Sequence, residues 1–484
     1  MMDTKIGDII EVDVDKYAFE GKGIARVNRN SIIPDKSAEN EPPNYVVFVD
    51  GSYPGDKVSA RLTKIKNSYS EAKRINIIKP SEFRVDPRCK YFGNCGGCKQ
   101  QDLDYQTQVS FKQQQVQEIF EKMGGLTDYI CETILPSDKI FYYRNKMEFS
   151  FAERKWLPEA EFKASGGVPG IFALGLHLPG FFDRLLDIDE CFLQSELSIK
   201  IVNFTRDLFK DSGVPVYTTK THTGYLRNLV IRTSHHTDDI MVNLVTGTDN
   251  ELVMKEYTAA LLKQFPEITT IVNNISLKKA SIAVGDYERI YHGSGFISDS
   301  IGEFNFRISA NSFFQTNTLQ AEKLYQTVVD FAEFTGDEIV YDLFCGTGSI
   351  AIFISKFVKE VFGFESVEAS IVDAKENTLA NNVFNTKFIN ANLLESVAPA
   401  LKKRKLPKPD FVILDPPRNG LHKNTIYDVM EMNPRKIIYV SCNPTTQARD
   451  IRKFVDLGYD LVKIRPVDMF PHTFHIENVA LLVK

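Results

Sequence analysis

Cysteine is scarce, with seven residues in 484, an odd and thinly spread set that cannot build a disulfide scaffold. A reducing, cytoplasmic setting is therefore expected. No apolar run approaches the length of about 18 residues needed to cross a bilayer, so no membrane association is expected. The chain begins MMDTKIGDIIEVDV, without a basic start followed by an apolar stretch, and a secretory leader is not expected. Internal repeats and low-complexity tracts are missing as well, which excludes solenoid and fibrous architectures.

What remains is an ordinary globular composition, 43% hydrophobic and 25% charged. A chain of 484 residues predicts about three domains, each large enough to bury a core. The net charge of −5 speaks against a nucleic-acid binder when the chain is taken whole. The charge is uneven, however: residues 54–80 hold seven Lys or Arg against Asp56 and Glu71. Salt screens charges beyond about 10 Å, so a local basic face can bind phosphates on an acidic protein. A solvated strand edge kept soluble by lysines has the same composition.

The pattern predicts a multidomain chain. Residues 1–80 alternate polar and apolar positions in KIGDIIEVDVDKYAFEGKGIARV and NYVVFVDGSYPGDKVSARLTKIK, with a loop at 32–44. Short strands this dense fit an OB-like β-barrel, a fold that commonly binds oligonucleotides without establishing that function. Residues 81–310 open with a cysteine loop and the polar helix QTQVSFKQQQVQEIFEKM. They continue with strands such as NLVIRTS and DDIMVNLVTG and the helix ELVMKEYTAALLKQF, and so read as an α+β central domain. Residues 311–484 alternate strand, turn and helix, the signature of an α/β, Rossmann-like domain with a mostly parallel sheet.

In that last segment YDLFCGTGSIAI places a Gly-x-Gly turn between a strand and a helix, where backbone can approach a ligand closely. A second strand ends in Glu365, whose carboxylate can take both hydroxyls of a ribose. A third ends in Asn390-Ala391-Asn392 and a fourth in Asp415-Pro416-Pro417-Arg418. The third glycine of the dinucleotide fingerprint is absent, which lowers a nicotinamide reading. The succession of strand ends looks like an S-adenosylmethionine-dependent methyltransferase. In IIYVSCNPTTQARDI, Cys442 sits after a strand and before a helix N-terminus, a place that favours the thiolate. Glu477 immediately precedes the last strand. Taken singly, Cys442 reads as a buried structural cysteine and Glu477 as a surface glutamate. Taken together they fit one chemistry, in which Cys442 as nucleophile adds to C6 of uracil, C5 becomes nucleophilic and is methylated, and Glu477 removes the C5 proton.

Cys89, Cys95 and Cys98 lie in one ten-residue loop whose glycines let it curl round a metal. Spacing alone leaves zinc and an iron–sulfur cluster open, with the fourth ligand among Cys131, Cys191, Cys345 and Cys442.

The cysteine loop is followed, in order, by RNKMEFSF, LDIDECFLQ, NSFFQTNT, DLFCGTGSIAI, LDPPRNGL, YVSCNP and HIENVALL. On these motifs, spread over almost the whole chain, the sequence resembles the bacterial RNA (uracil-5-)-methyltransferases. The likeness is greatest to those that act on 23S ribosomal RNA and carry a TRAM domain and an iron–sulfur cluster. The resemblance implies that Gln315, Phe344, Glu365, Asn392 and Asp415 contact S-adenosylmethionine, and it supports the roles of Cys442 and Glu477. Ser349 stands where some relatives carry Asn. The resemblance points to Cys191 as the fourth ligand and to a [4Fe–4S] cluster rather than zinc.

It also implies an RNA partner that the central domain helps to bind. There Arg144 and Lys146 of RNKMEFSF and Arg227 and Arg232 of GYLRNLVIR are candidate phosphate contacts, with surface solvation the other reading of each. The target uridine must be flipped out or unpaired to expose C5 and C6. Ribosomal RNA is the expected substrate and a monomer the expected state; transfer RNA methylation fits the same motifs. An amino-group methyltransferase would carry an aromatic residue where Arg418 follows Pro417. A non-catalytic RNA-binding or redox protein with a relic domain would have lost Cys442, Glu477 or the glycine turn, and all three are present.

Overall fold

The structure, a computed structural model, describes residues 4–32, 45–157, 159–166, 172–181, 184–280, 283–393 and 396–484. Nearly all of the expected loop at 32–44 lies outside these residues. Strands Ile9–Ala18, Lys22–Val27, Tyr45–Asp50, Lys57–Ile65 and Tyr69–Lys79 close into a five-stranded barrel. The alternation that marked them as strands is the alternation of burial: Tyr45, Val47 and Val49 point inward, while Val46 and Phe48 are half-buried between them. Arg84, just past the barrel, ties it to the next segment through a buried ion pair with Asp56 (2.7 Å) and a second pair with Asp102.

A seven-stranded sheet follows, ordered Tyr287–His292, Thr270–Ile275, Ile240–Thr246, Leu226–Thr233, Lys146–Ala152, Ala173–His177 and Leu185–Asp187. Helices Glu196–Lys210 and Glu251–Gln264 cover it, so Ile240–Thr246 is buried along its whole length, as its continuous apolar run required.

The largest sheet has eight strands, in the order Thr386–Asn390, Glu360–Glu365, Ile339–Leu343, Phe411–Leu414, Lys436–Ser441, Glu477–Val483, Asp460–Val467 and Ile130–Cys131. The first five run parallel, and Glu477–Val483 is antiparallel to both of its neighbours. Two pieces of the expected 81–310 segment share this unit's core. Helix Tyr105–Glu118 and strand Ile130–Cys131 lie against it, as does the hairpin Phe296–Ile301/Phe304–Ser309. Their apolar residues are few and scattered in sequence, so only packing reveals where they belong. No helix among the described residues is long and apolar enough to cross a membrane.

Candidate active site

Parallel pairing brings the carboxyl ends of the first five strands to one edge of the sheet. The strand order reverses between Ile339–Leu343 and Phe411–Leu414, the position at which open α/β sheets bind their ligands. Phe344 continues the first of these strands with a left-handed backbone (φ 68°), followed by Gly346 and Gly348, also left-handed. A Cβ on Gly348 would lie 2.6 Å from the Phe388 ring, so only glycine lets the turn lie this close to the sheet. Glu365 locks the turn from the neighbouring strand. One carboxylate oxygen accepts from the Gly346 N–H at 3.1 Å, and the other from the N–H groups of Ser366 (2.7 Å) and Val367 (2.9 Å).

Asp415 ends the fourth strand across the switch point, its carboxyl pushed up to about 7 by burial. Asp342, fully buried behind the turn, is driven well above the carboxylate range by burial and by Asp415. Gln315 approaches from the loop before helix Thr318–Ala332. Its carbonyl accepts from Asn145 Nδ2 at 2.8 Å, which ties this loop to the central sheet. The hydroxyl of Ser349 lies 2.7 Å from Tyr325 OH, so it is bonded to the core. Asn392 lies exposed at the end of the third strand.

The antiparallel last strand explains the second half of the site. Ser441 pairs with Asn478. The next residues outward, Cys442 and Glu477, are thereby set side by side at the same end of the sheet. Asn443 caps helix Pro444–Asp456 by accepting from the Thr445 N–H at 3.1 Å, so Cys442 sits beside a helix N-terminus. Even so, its thiol is pushed up to about 12 by burial and by the charges of Glu477 and Asp415, with Arg418 opposing them. Glu477 is buried, and its carboxyl is raised well above the usual range by burial and by Asp415.

Sequence reasoning missed Arg418 as part of this group. Its carbonyl accepts from Asn443 Nδ2 (3.0 Å) and Thr446 Oγ1 (3.2 Å), so the Asp415–Arg418 turn is fastened to the turn carrying Cys442. The only signal was a cation directly after the two prolines. His475 was also missed; burial and the Arg418 charge push its imidazole down to about 4, so it is neutral at pH 7.

Cys89, Cys95, Cys98 and Cys191 line a single pocket with Tyr91, Phe92, Leu176, Ile188 and Leu193. N–H groups reach the sulfurs: Gly97 N–H to Cys95 Sγ at 3.3 Å, and Gln101 Nε2 to Cys98 Sγ at 3.2 Å. Backbone of Tyr91 reaches Cys89, and backbone of Leu193 reaches Cys191. Burial pushes the thiols up, to about 11 at Cys95 and about 12 at Cys98. Cys131 is elsewhere, bonded to Gln113 Nε2 at 2.9 Å, and Cys345 is buried beside the glycine turn.

Two expected phosphate contacts are excluded. Arg232 is 3% exposed and donates to the Ser312 carbonyl at 2.5 Å, while Arg227 is 5% exposed and donates to the carbonyls of Ser276 and Lys278. Both hold loops on the central sheet. Lys146 pairs with Glu148 at 2.5 Å, whereas Arg144 lies over the Phe470 ring at 5.9 Å, facing the segment that leads into Glu477.

The sheet order and the glycine turn held by Glu365 are those of the S-adenosylmethionine-dependent methyltransferase class. The family model for tRNA (Uracil-5-)-methyltransferase matches residues 297–484, and that for the TRAM domain matches residues 3–75. An RNA methyltransferase of Chlorobaculum tepidum is 37% identical over 98% of this chain and 96% of the relative. One of Porphyromonas gingivalis is 37% identical over 98% and 99%. The solved tRNA (uracil-54, C5)-methyltransferase of Pyrococcus abyssi, in complex with S-adenosyl-L-homocysteine, superposes with a TM-score of 0.73. It is 29% identical, with 98% of this chain and 99% of that chain covered. The chain belongs to the RNA (uracil-5-)-methyltransferase family.

Proposed function

We propose that this protein methylates C5 of a uridine in RNA through a covalent bond between Cys442 Sγ and uracil C6. The observation that carries the reading is the side-by-side placement of Cys442 and Glu477 that follows from the Ser441–Asn478 pair. S-adenosylmethionine supplies an electrophilic methyl group when bound. The switch point suits it: Glu365 offers acceptor oxygens for ribose hydroxyls, Phe344 an apolar ring, and Gln315, Asn392 and Asp415 polar ends, with Ser349 beneath them.

The chain's own residues do the rest. The Cys442 thiolate adds to C6, and the electrons of the C5–C6 double bond move onto the ring as an enolate. C5 is then nucleophilic and accepts the methyl group. Glu477, as carboxylate, removes the C5 proton, and the ring electrons expel Cys442 as thiolate and restore the double bond. A buried carboxylate is a stronger base than a solvated one, which suits a carbon-bound proton. Arg418 is the cation that offsets the negative charge of Cys442 during both steps.

The four cysteines fit a [4Fe–4S] cluster held by Cys89, Cys95, Cys98 and Cys191. They share one apolar pocket, and N–H groups reach all four sulfurs, the surroundings in which bound thiolates are stabilised. Zinc held by the same four thiolates is the alternative.

The substrate reading is 23S ribosomal RNA, supported by the joint presence of barrel and cysteine loop. The likeness to the Pyrococcus abyssi tRNA enzyme favours transfer RNA as a second reading. Mapping of 5-methyluridine by mass spectrometry in ribosomal and transfer RNA from a deletion strain separates them. Loss confined to 23S RNA supports the first, loss confined to transfer RNA the second, and loss from neither contradicts the activity.

A further inference from the structure

Helix Tyr105–Glu118 poses a problem that the reaction does not resolve. Its sequence, YQTQVSFKQQQVQE, is too polar to form an apolar stripe, yet Gln108, Lys112 and Gln115 are all buried. Their spacing places them on one helical face. Buried polar groups cost free energy unless hydrogen-bonded, so this face must be matched by partners.

Gln115 donates through Nε2 to the Ala18 carbonyl of the barrel at 3.0 Å, and the partners of the other two lie in two loops. Gln108, wholly buried, donates through Nε2 to the carbonyls of Gln100 (2.9 Å) and Leu103 (2.8 Å), which follow the cysteine loop. Its Oε1 accepts from the His472 N–H at 2.9 Å. The N–H groups of Lys99 and Gln100 both donate to the His472 carbonyl, at 2.9 and 3.0 Å. One turn along the helix, Lys112 forms a buried ion pair with Asp468 (2.6 Å) and donates to the Phe470 carbonyl at 3.1 Å. Tyr105 OH donates to Asp468 at 2.9 Å. His472 itself has a left-handed backbone (φ 63°) and stacks on Phe141 with ring centres 4.5 Å apart.

The segment from Asp468 to Ile476 leads directly into Glu477 and carries His475, the neighbour of Arg418. It is therefore held by the helix on one side and by the residues next to Cys98 on the other. We propose that Gln108 is a positioning residue for Glu477: it locks His472 to the cysteine loop and thereby fixes where the base meets C5. The proposal rests on the covalent reading above, in which Glu477 acts only after Cys442 has attacked.

That order gives a readout that a merely structural role would not move. In Gln108→Leu, attack by Cys442 and methyl transfer proceed, but the misplaced base slows elimination. A displacement near 1 Å costs about 100-fold in a positioned step. The methylated protein–RNA adduct should therefore accumulate during turnover on unmodified RNA, seen as a shifted band on a denaturing gel, while the parent shows little. Gln108→Asn keeps an amide donor and acceptor on a shorter arm; it should accumulate less adduct than Gln108→Leu, and it serves if the leucine variant does not fold. S-adenosylmethionine affinity should match the parent in both. Equal slowing of methyl transfer and elimination, with no adduct in either variant, would overturn the proposal. The parent is run alongside with 5-fluorouridine RNA. If the parent forms no adduct there, the covalent reading itself has failed; if it does and the variants accumulate none on normal RNA, only the role of Gln108 has.

Discussion

The guanidinium of Arg418 lies 3.0 Å from Nδ1 of His475, so the cation facing Cys442 is held by the loop that precedes Glu477. The proposed nucleophile, base and counter-charge thus come from three sheet ends that are fastened to one another. The arrangement fixes a direction of pH dependence. Burial, Glu477 and Asp415 push the Cys442 thiol up to about 12, and Arg418 pulls it down. The reactive thiolate is therefore gained as pH rises.

Adduct formation with 5-fluorouridine RNA should accelerate with pH through the neutral and alkaline range. Arg418→Ala should displace that rise to higher pH, and Arg418→Lys should displace it less. Rapid-quench gels at several pH values measure it. A flat profile, or one that Arg418→Ala leaves in place, contradicts the assigned role.

Glu477 should cost the protein stability. Its folded carboxyl is raised above the ordinary value of 4.5 by burial, so the folded state keeps the proton to higher pH than the unfolded chain does. Stability is then lost as pH climbs from the unfolded value towards the folded one. Glu477→Gln removes that loss and should be the more stable protein at pH 7.5, by roughly 0.5–2 kcal/mol, the range common for single stabilising substitutions. The gain should shrink at pH 4.5. Thermal melts at the two pH values check this, and a gain equal at both would point to packing instead.

The cysteine pocket makes a separate prediction. Protein purified without oxygen should be brown and contain iron in excess of zinc. Cys191→Ala should lose iron and solubility while retaining Cys442 and Glu477. Stoichiometric zinc without iron in anaerobic protein would sink the cluster assignment.

Much of the fold was legible because the barrel strands alternate and the C-terminal strands are continuously apolar, two patterns that burial alone produces. The strand ends Glu365, Asp415 and Cys442 were legible for the same reason, each following directly on an apolar run. The helix at Tyr105–Glu118 was recognisable as a helix, but its place was not, since most of its buried partners are backbone groups that carry no sequence signal and its ion-pair partner Asp468 lies 356 residues away. Arg227 and Arg232 looked like phosphate ligands because sequence cannot show that an arginine's donors are taken by carbonyls. His475 and Arg418 are 57 residues apart, and only the antiparallel last strand brings them together.

The barrel should contribute affinity without setting the chemistry. Lys22 and Lys64 are paired with Glu71, at 2.8 Å each, holding its carboxyl down to about 2. Lys66, Lys73 and Lys79 are exposed and are the barrel lysines expected to meet phosphates. Replacing all three with Ala should weaken RNA binding and lower the salt slope by about 0.7 for each single-strand phosphate that is no longer neutralised. Filter binding across salt concentrations measures it, with S-adenosylmethionine affinity unchanged; an unaltered slope would assign the barrel another task.

The central claim is that Cys442 attacks before Glu477 acts, and one comparison tests it. Cys442→Ala and Glu477→Gln are each incubated with RNA and S-adenosylmethionine, and the protein is digested and read by mass spectrometry. Glu477→Gln should show a peptide joined through Cys442 to a uridine already carrying the new methyl group, because the C5 proton has no base to remove it. Cys442→Ala should bind both partners and show neither adduct nor methylated RNA. Turnover by Cys442→Ala, or normal release from Glu477→Gln with no adduct, would contradict the account.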